Sequence, residues 1–435
     1  MSGQLNPQAQ KREEIAGEFD RVLLAVVVAL VSIGVVMVAS SSLAVSEGHG
    51  VESFYYLQRH LFFLVVGAIG AGLLMRTELR LLERRGAGLL LLAILLLVAV
   101  LVPGIGREVN GATRWIDLRF FGFQAVEAVK LLMILWLAGY MVRYREQLQD
   151  RLWGVLKPMG VLVLLSGLLL WQPDFGSTVL LCAITAGMLW LGGARVPYLM
   201  APVALGGIAL AALAVFEPYR LRRLVSFLDP FQDPFGAGYQ LSHSLIAIGR
   251  GEATGVGLGA SVQKLFYLPE AHTDFIFAVF AEETGFLGVS VLVGLFVLLA
   301  ARGFWLGLRA IEMGRMYAGY CAFGVSLWMS LQSLVSIGVN MGVLPTKGLT
   351  LPLISSGGSS VIMSCVAIGL LLRVSYEAER ARRQTGRLRG EDLQDPAELL
   401  QRPAPTAPNR IEVPSPVFRP GPARARIEPG IGALP

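Results

Sequence analysis

Ten apolar runs divide this chain, near residues 22–42, 57–75, 86–103, 124–142, 158–172, 177–193, 197–216, 276–300, 316–340 and 351–373. Each is long enough to cross about 30 Å of hydrocarbon as a helix. Nothing else in the sequence restricts the fold as strongly, because a backbone in lipid must satisfy its own polar groups and forms helices for that reason. Hydrophobic residues make up 54% of the 435 positions and charged residues 16%, a balance that one soluble core could not hide. The expectation is an all-α integral membrane protein with about ten transmembrane helices and one large extracytoplasmic loop.

Lysine and arginine set the orientation, since short cytoplasmic connections carry their excess. One set of connections holds Lys11, Arg12 and Arg21; Arg76, Arg80, Arg84 and Arg85; Arg143, Arg145, Arg151 and Lys157; Arg302, Arg309 and Arg315. The other set is poorer, so both termini are expected in the cytoplasm. Residues 1–20 read as a cytoplasmic leader without a signal-peptide pattern. Residues 21–375 form the membrane domain, with a large outer loop at about 217–275. Ten of the 22 prolines fall between Pro396 and Pro435, so 376–435 reads as a disordered cytoplasmic tail.

Within this frame the polar residues beside the runs stand out. Gly249 to Glu283 is a glycine-rich stretch ending in Pro-Glu-Ala-His-Thr-Asp and passing directly into an apolar helix, which puts Asp274 at the membrane lip. An ionisable group there is either functional or a cap for the helix behind it. Glu127 and Lys130 lie three apart on one face of the fourth run and either pair with each other or reach a neighbouring helix. Gln172-Pro173-Asp174 makes a tight turn in which Asp174 either caps the next helix or takes part in chemistry. Glu282 and Glu283 follow Asp274 by about two turns, so at least one faces a polar interior. Leu351 to Ser360, small and hydroxylated, suits close helix packing or a lined cavity.

Several function classes drop out. The net charge of +6 is spread over loops and tail, which argues for orientation signals and against nucleic acid. The GxG spacings among Gly249–Gly259 lack a βαβ unit, and no Walker A lysine follows a glycine loop. The three cysteines, Cys182, Cys321 and Cys365, sit in apolar runs as packing residues, and His49, His60, His243 and His272 lack metal-ligand spacing.

Pro218 to Gly288 closely resembles the signature of the SEDS family, the shape, elongation, division and sporulation proteins. The likeness also takes in Asn110 to Trp115, Glu127 with Lys130, Gln172 to Asp174, Pro345 to Pro352 and Gly357 to Ser360. It covers about 350 residues. VQKLFYLPEAHTDFIFA and the Pro-Thr-Lys347-Gly run resemble the division branch more than the elongation branch. The chain departs from the family at Gln124 to Glu127, where Gln-Pro-Ser-Glu is usual, and at Ser356, where tyrosine is usual.

The resemblance implies a peptidoglycan glycosyltransferase that polymerises lipid II in the bacterial inner membrane at the division septum. A class B penicillin-binding protein and other division-complex membrane proteins are the implied partners. Inverting transfer from an α-linked diphosphate needs a base for the incoming hydroxyl and cations for the leaving group. Asp274 matches the family's essential acid. Arg220, Arg222, Arg223 and Lys264 are diphosphate candidates, although Arg222 reads better as a solvated loop charge. Glu270, His272, Lys347 and Ser359 complete the expected substrate-binding set, and a Mg2+ or Mn2+ ion could bridge the diphosphate. The rival readings are a lipid II flippase, which the intramembrane charges suit, and a non-catalytic division scaffold.

Overall fold

The computed structural model describes residues 17–48, 54–109, 111–119, 121–216, 226–236, 238–265, 267–345 and 348–388. In chain order the elements are α1 (Arg21–Gly48), α2 (Tyr55–Arg76), α3 (Leu79–Arg84), α4 (Gly86–Leu101), β1 (Gly106–Val109), β2 (Ala112–Asp117) and β3 (Gly122–Gln124). There follow α5 (Ala125–Arg143), α6 (Arg145–Asp150), α7 (Leu152–Trp171), α8 (Phe175–Leu191), α9 (Val196–Phe216), α10 (Tyr239–Gly251), α11 (Ile276–Glu312), α12 (Met316–Asn340) and α13 (Gly358–Leu388). Each of the ten predicted runs falls on one helix. Seven of these are long and apolar enough to cross a membrane, namely α1, α2, α5, α7, α11, α12 and α13. The other three, α4, α8 and α9, are shorter apolar helices.

Burial follows from position in the bundle. α5 and α12 are enclosed on most sides, with Val129, Ile134, Leu137, Val325 and Trp328 fully covered, whereas α2, α4 and α9 present long apolar faces outward. α2 and α13 approach closely because both carry small residues at the crossing. A Cβ added at Gly67 would lie 2.9 Å from that of Cys365, and one at Gly369 would lie 2.7 Å from the Ala71 Cα. Cys365 thus packs as its apolar surroundings predict.

Two corrections and one addition concern the elements. First, a small antiparallel sheet, β1-β2-β3, stands between α4 and α5, where no strand was predicted. Val109 pairs with Ala112 around Asn110-Gly111, a sequence suited to a two-residue hairpin, and Gly111 has φ +76°. Second, α13 continues to Leu388, well into the stretch expected to be disordered from 376. Its extension is held by Arg373–Glu377 at 3.0 Å, Arg382–Glu379 at 2.8 Å and Arg309–Glu379 at 3.3 Å. Third, the end of the leader is docked. Asp20 is buried, bonded to Arg302 and Ser375, and Glu18 pairs with Arg383.

Candidate active site

The glycine-rich stretch has a definite backbone because α11 is broken where it passes. Gly285 adopts φ +64° and ψ −166°, a conformation open essentially to glycine alone. The break frees polar groups that the stretch satisfies. Val256 and Gly257 donate to the carbonyls of Glu282 and Glu283 at 3.0 and 3.1 Å, while Phe286 and Leu287 donate to those of Glu252 and Ala253 at 2.9 and 3.1 Å. Buried backbone groups left unpaired in an apolar setting would each cost several kcal/mol, so loop and break depend on each other.

The two glutamates hold the same loop by their side chains. Both are buried. Glu282 accepts from Ser261 Oγ at 2.5 Å and from the Val262 amide at 3.2 Å, and pairs with Arg250 at 2.9 Å. Glu283 pairs with Lys264 at 2.8 Å and accepts from Ser40 Oγ of α1 at 2.7 Å. Both therefore face a polar interior, where at least one was expected to. Lys264 is a correction: its ammonium donates to Glu283, Ser40 Oγ and the Gly259 carbonyl, which makes it a strut of the loop and not a free cation for diphosphate. Ser359 is a second one. It is buried, and its Oγ accepts from the Gln124 amide at 2.8 Å, which fixes β3 against the start of α13.

Asp274 sits where this braced loop enters α11. It is half-buried, and a Cβ built on Gly348 would lie 2.9 Å from its Oδ2, so the carboxylate faces the strand of chain just after Lys347. The cap position of α11 is Phe275, and the first-turn amide of Ala278 is taken by Asn340 Oδ1 at 3.2 Å. Three main-chain carbonyls in a row are gripped from elsewhere: His272 by the Ser356 amide at 3.0 Å, Thr273 by Ser355 Oγ at 2.6 Å and Asp274 by Asn340 Nδ2 at 3.0 Å. The His272 ring lies 5.1 Å from that of Tyr56, and the exposed Glu270 accepts from Thr273 Oγ1 at 2.6 Å. Glu270 and His272 thus belong to the turn that leads through Asp274, whose Thr273 and Phe275 amides donate to the Glu270 carbonyl. Arg220, Arg222, Arg223 and Lys347 lie outside the described residues.

The remaining intramembrane residues are supports. Lys130 pairs with Glu127 at 2.9 Å, donates to Gln332 Oε1 at 2.7 Å and lies 4.8 Å from the centre of the Trp328 ring. The pairing and the neighbouring-helix alternatives are both realised. Asp174 caps α8, accepting from the Ser177 amide at 3.1 Å, and Gln172 Nε2 donates to the Leu97 carbonyl at 2.8 Å. Among the described residues, no three His, Cys, Asp or Glu side chains converge as a metal cluster.

The profile of the cell cycle protein family of FtsW, RodA and SpoVE matches residues 20–380. The chain belongs to that family. A probable peptidoglycan glycosyltransferase FtsW of Xanthomonas oryzae pv. oryzae is 57% identical over 384 residues, 88% of this chain and 78% of that one. Its counterpart in Coxiella burnetii is 48% identical over 371 residues, covering 85% of this chain and all of the other. Among solved structures, a chain from work on coordination of polymerization and crosslinking by a peptidoglycan synthase complex is 32% identical, with a TM-score of 0.68 over 83% of this chain and 98% of that one. The rod shape determining protein RodA of Thermus thermophilus is 30% identical, with a TM-score of 0.61 over 82% and 96% of the two chains.

The departures from the family pattern have local consequences only. Ala125 opens α5 where proline is usual, and Ser356 grips His272 through its backbone amide, which any residue other than proline supplies. Sequence reasoning missed Asn340, Ser355, Gln332 and Arg250. A signal for two of them existed: Gln332, Ser336 and Asn340 recur every four residues along α12, the two carboxamides standing out from its apolar and hydroxylated residues.

Proposed function

We propose that this chain is a division-branch peptidoglycan glycosyltransferase that polymerises lipid II, with Asp274 as general base. The observation that carries this is the half-buried Asp274 carboxylate at the entrance to α11, with its main chain fixed by Asn340 and its neighbours by Ser355 and Ser356. A base must hold its oxygen within reach of the incoming sugar hydroxyl, and three consecutive anchored carbonyls leave the backbone little freedom to drift. In the step itself the carboxylate takes the proton of the 4-hydroxyl, that oxygen bonds to the anomeric carbon, and the bond to the diphosphate breaks. Arg220, Arg223 and Lys347 are the cations offered to the departing charge, and Glu270 and His272 the groups offered to the sugar. A divalent ion would add charge neutralisation there.

The chain is read as an inner-membrane protein of the septum with both termini cytoplasmic. That orientation rests on the basic connections and puts Asp274 outside, where the lipid-linked sugar is presented. A class B penicillin-binding protein is the expected partner, a reading supported by the likeness to the synthase-complex chain. The flippase alternative is weaker because its intramembrane charges, Glu127 and Lys130, are engaged with each other and with Gln332.

The test is glycan synthesis from lipid II in liposomes with the transpeptidase present. Asp274→Asn keeps shape and acceptor capacity but removes the basic oxygen. A folded, partner-binding variant without detectable polymer is expected. Polymer at near the parental rate would remove Asp274 from the mechanism. Omitting the transpeptidase should leave little product, and full activity without it would end the partner reading.

A further inference from the structure

Asn340 is fully buried at the end of α12, and every polar atom of its side chain is engaged. Its Nδ2 donates to the Asp274 carbonyl at 3.0 Å and to the Ser336 carbonyl at 2.8 Å, and its Oδ1 accepts from the Ala278 amide at 3.2 Å. Its own carbonyl accepts from Ser244 Oγ of α10 at 2.8 Å. One residue therefore joins α10, α12, the loop end and the first turn of α11. It also binds both sides of the step from loop to helix, the carbonyl before and the amide after, which is the geometry that sets the direction in which the Asp274 side chain leaves the backbone.

We infer that Asn340 is a positioning residue for Asp274, acting on turnover and not on lipid II affinity. The inference rests on Asp274 being the base. A side chain that donated to Ser336 alone would be an ordinary buried amide, and a cap for α11 would need only the acceptor. The donor bond to Asp274 serves neither purpose. Fixing a catalytic oxygen is valuable because a displacement of about 1 Å can reduce the rate by as much as about a hundredfold.

The experiment compares the full-length protein, with its transpeptidase, against Asn340→Leu and Asn340→Asp in polymerisation of lipid II, after melting profiles establish folding. Asn340→Leu keeps the branched shape and loses all three side-chain bonds. Its kcat should fall at least about tenfold with KM within about twofold of the parent, as expected for lost alignment. Asn340→Asp keeps the acceptor and loses the donor when ionised, but regains an O–H donor when protonated. Its rate relative to the parent should rise as pH falls. An unchanged kcat in folded Asn340→Leu, or a loss confined to KM, overturns the inference. Should that variant not fold, a variant-to-parent ratio for Asn340→Asp that is flat with pH overturns it equally. Asp274→Asn is run in parallel. If it stays active, the base reading fails; if it is inactive while the Asn340 variants match the parent, only the positioning role fails.

Discussion

Lys130 shows how a cation is kept inside the helix bundle. It has no exposed surface, and Glu127, Gln332 and the face of Trp328 surround its ammonium. Only Glu127 Oε1 takes a well-aligned hydrogen bond; Oε2, though 2.9 Å from the same nitrogen, lies at an angle that leaves it without one. Removing one member of such a pair strands the other. Lys130→Ala should lower unfolding stability in detergent by about 3–5 kcal/mol. Glu127→Gln in the same chain should recover part of that loss, giving a coupling of at least about 1 kcal/mol in a double-mutant cycle. Additive losses would mean that the pair contributes nothing as a pair. The i,i+3 spacing made Glu127 and Lys130 legible in the sequence, whereas nothing in the sequence tied Gln332, some two hundred positions away, to that pair. Lys264 misled for the same reason: a lysine in a glycine-rich loop looks free until Glu283 and Ser40 are brought to it.

The break in α11 is the element on which the loop depends. A Cβ at Gly255, where φ is +81°, would lie 2.2 Å from the Glu283 carbonyl oxygen, and one at Gly285 would lie 2.3 Å from the Gly255 nitrogen. Backbone cannot move aside as a flexible side chain can. Gly285→Ala should therefore release the loop while leaving the apolar helices inserted. Limited proteolysis within 252–264 would read this as faster cleavage, with loss of polymerase activity. Gly257→Ala is the sharper control, since its φ of +105° is strained for alanine while the space around it is open, so a smaller effect is expected. Equal resistance of Gly285→Ala and parent would show that the loop is held by its side-chain pairs alone. From the sequence the apolar helices were legible because length and hydropathy alone define them. The break was not, because a helix interrupted by one glycine keeps the same hydropathy. The β1–β2 hairpin carried a readable Asn110-Gly111 signal, but its strands are too short and mixed for an apolar-run criterion. The extension of α13 was hidden because its charges read as a solvated tail until they are seen to form ion pairs along and between helices.

At the scale of the whole molecule, the chain is tied together a second time at Arg302, on the far side of the α11 break from Asp274. Asp20 makes this tie. Its Oδ1 accepts from the Leu23 amide at 2.8 Å and caps α1, its Oδ2 receives Arg302 of α11 at 2.6 Å, and its own amide donates to Ser375 of α13 at 2.8 Å. Three helices far apart in sequence meet at this one residue, beside a cavity of about 450 Å³ that Arg21, Arg309 and Glu379 also line. Burial raises the Asp20 carboxyl, but the Arg302 guanidinium and the Leu23 amide outweigh it and hold the group below its ordinary 3.8. A carboxyl held lower in the folded state stabilises the fold wherever it is ionised in both states, and that contribution disappears as the native carboxylate takes up its proton. Asp20→Asn keeps the cap but loses the charge opposite Arg302. The parent should therefore melt higher than the variant throughout the neutral range. The gap should begin to close once pH falls below about 3.8, the ordinary carboxyl value, and vanish below the folded one. Melting curves of both proteins in the same detergent, taken from neutral pH downward, measure that gap. If it is absent at neutral pH, or if it widens on acidification, the Asp20–Arg302 pair is not what joins the start of α1 to α11.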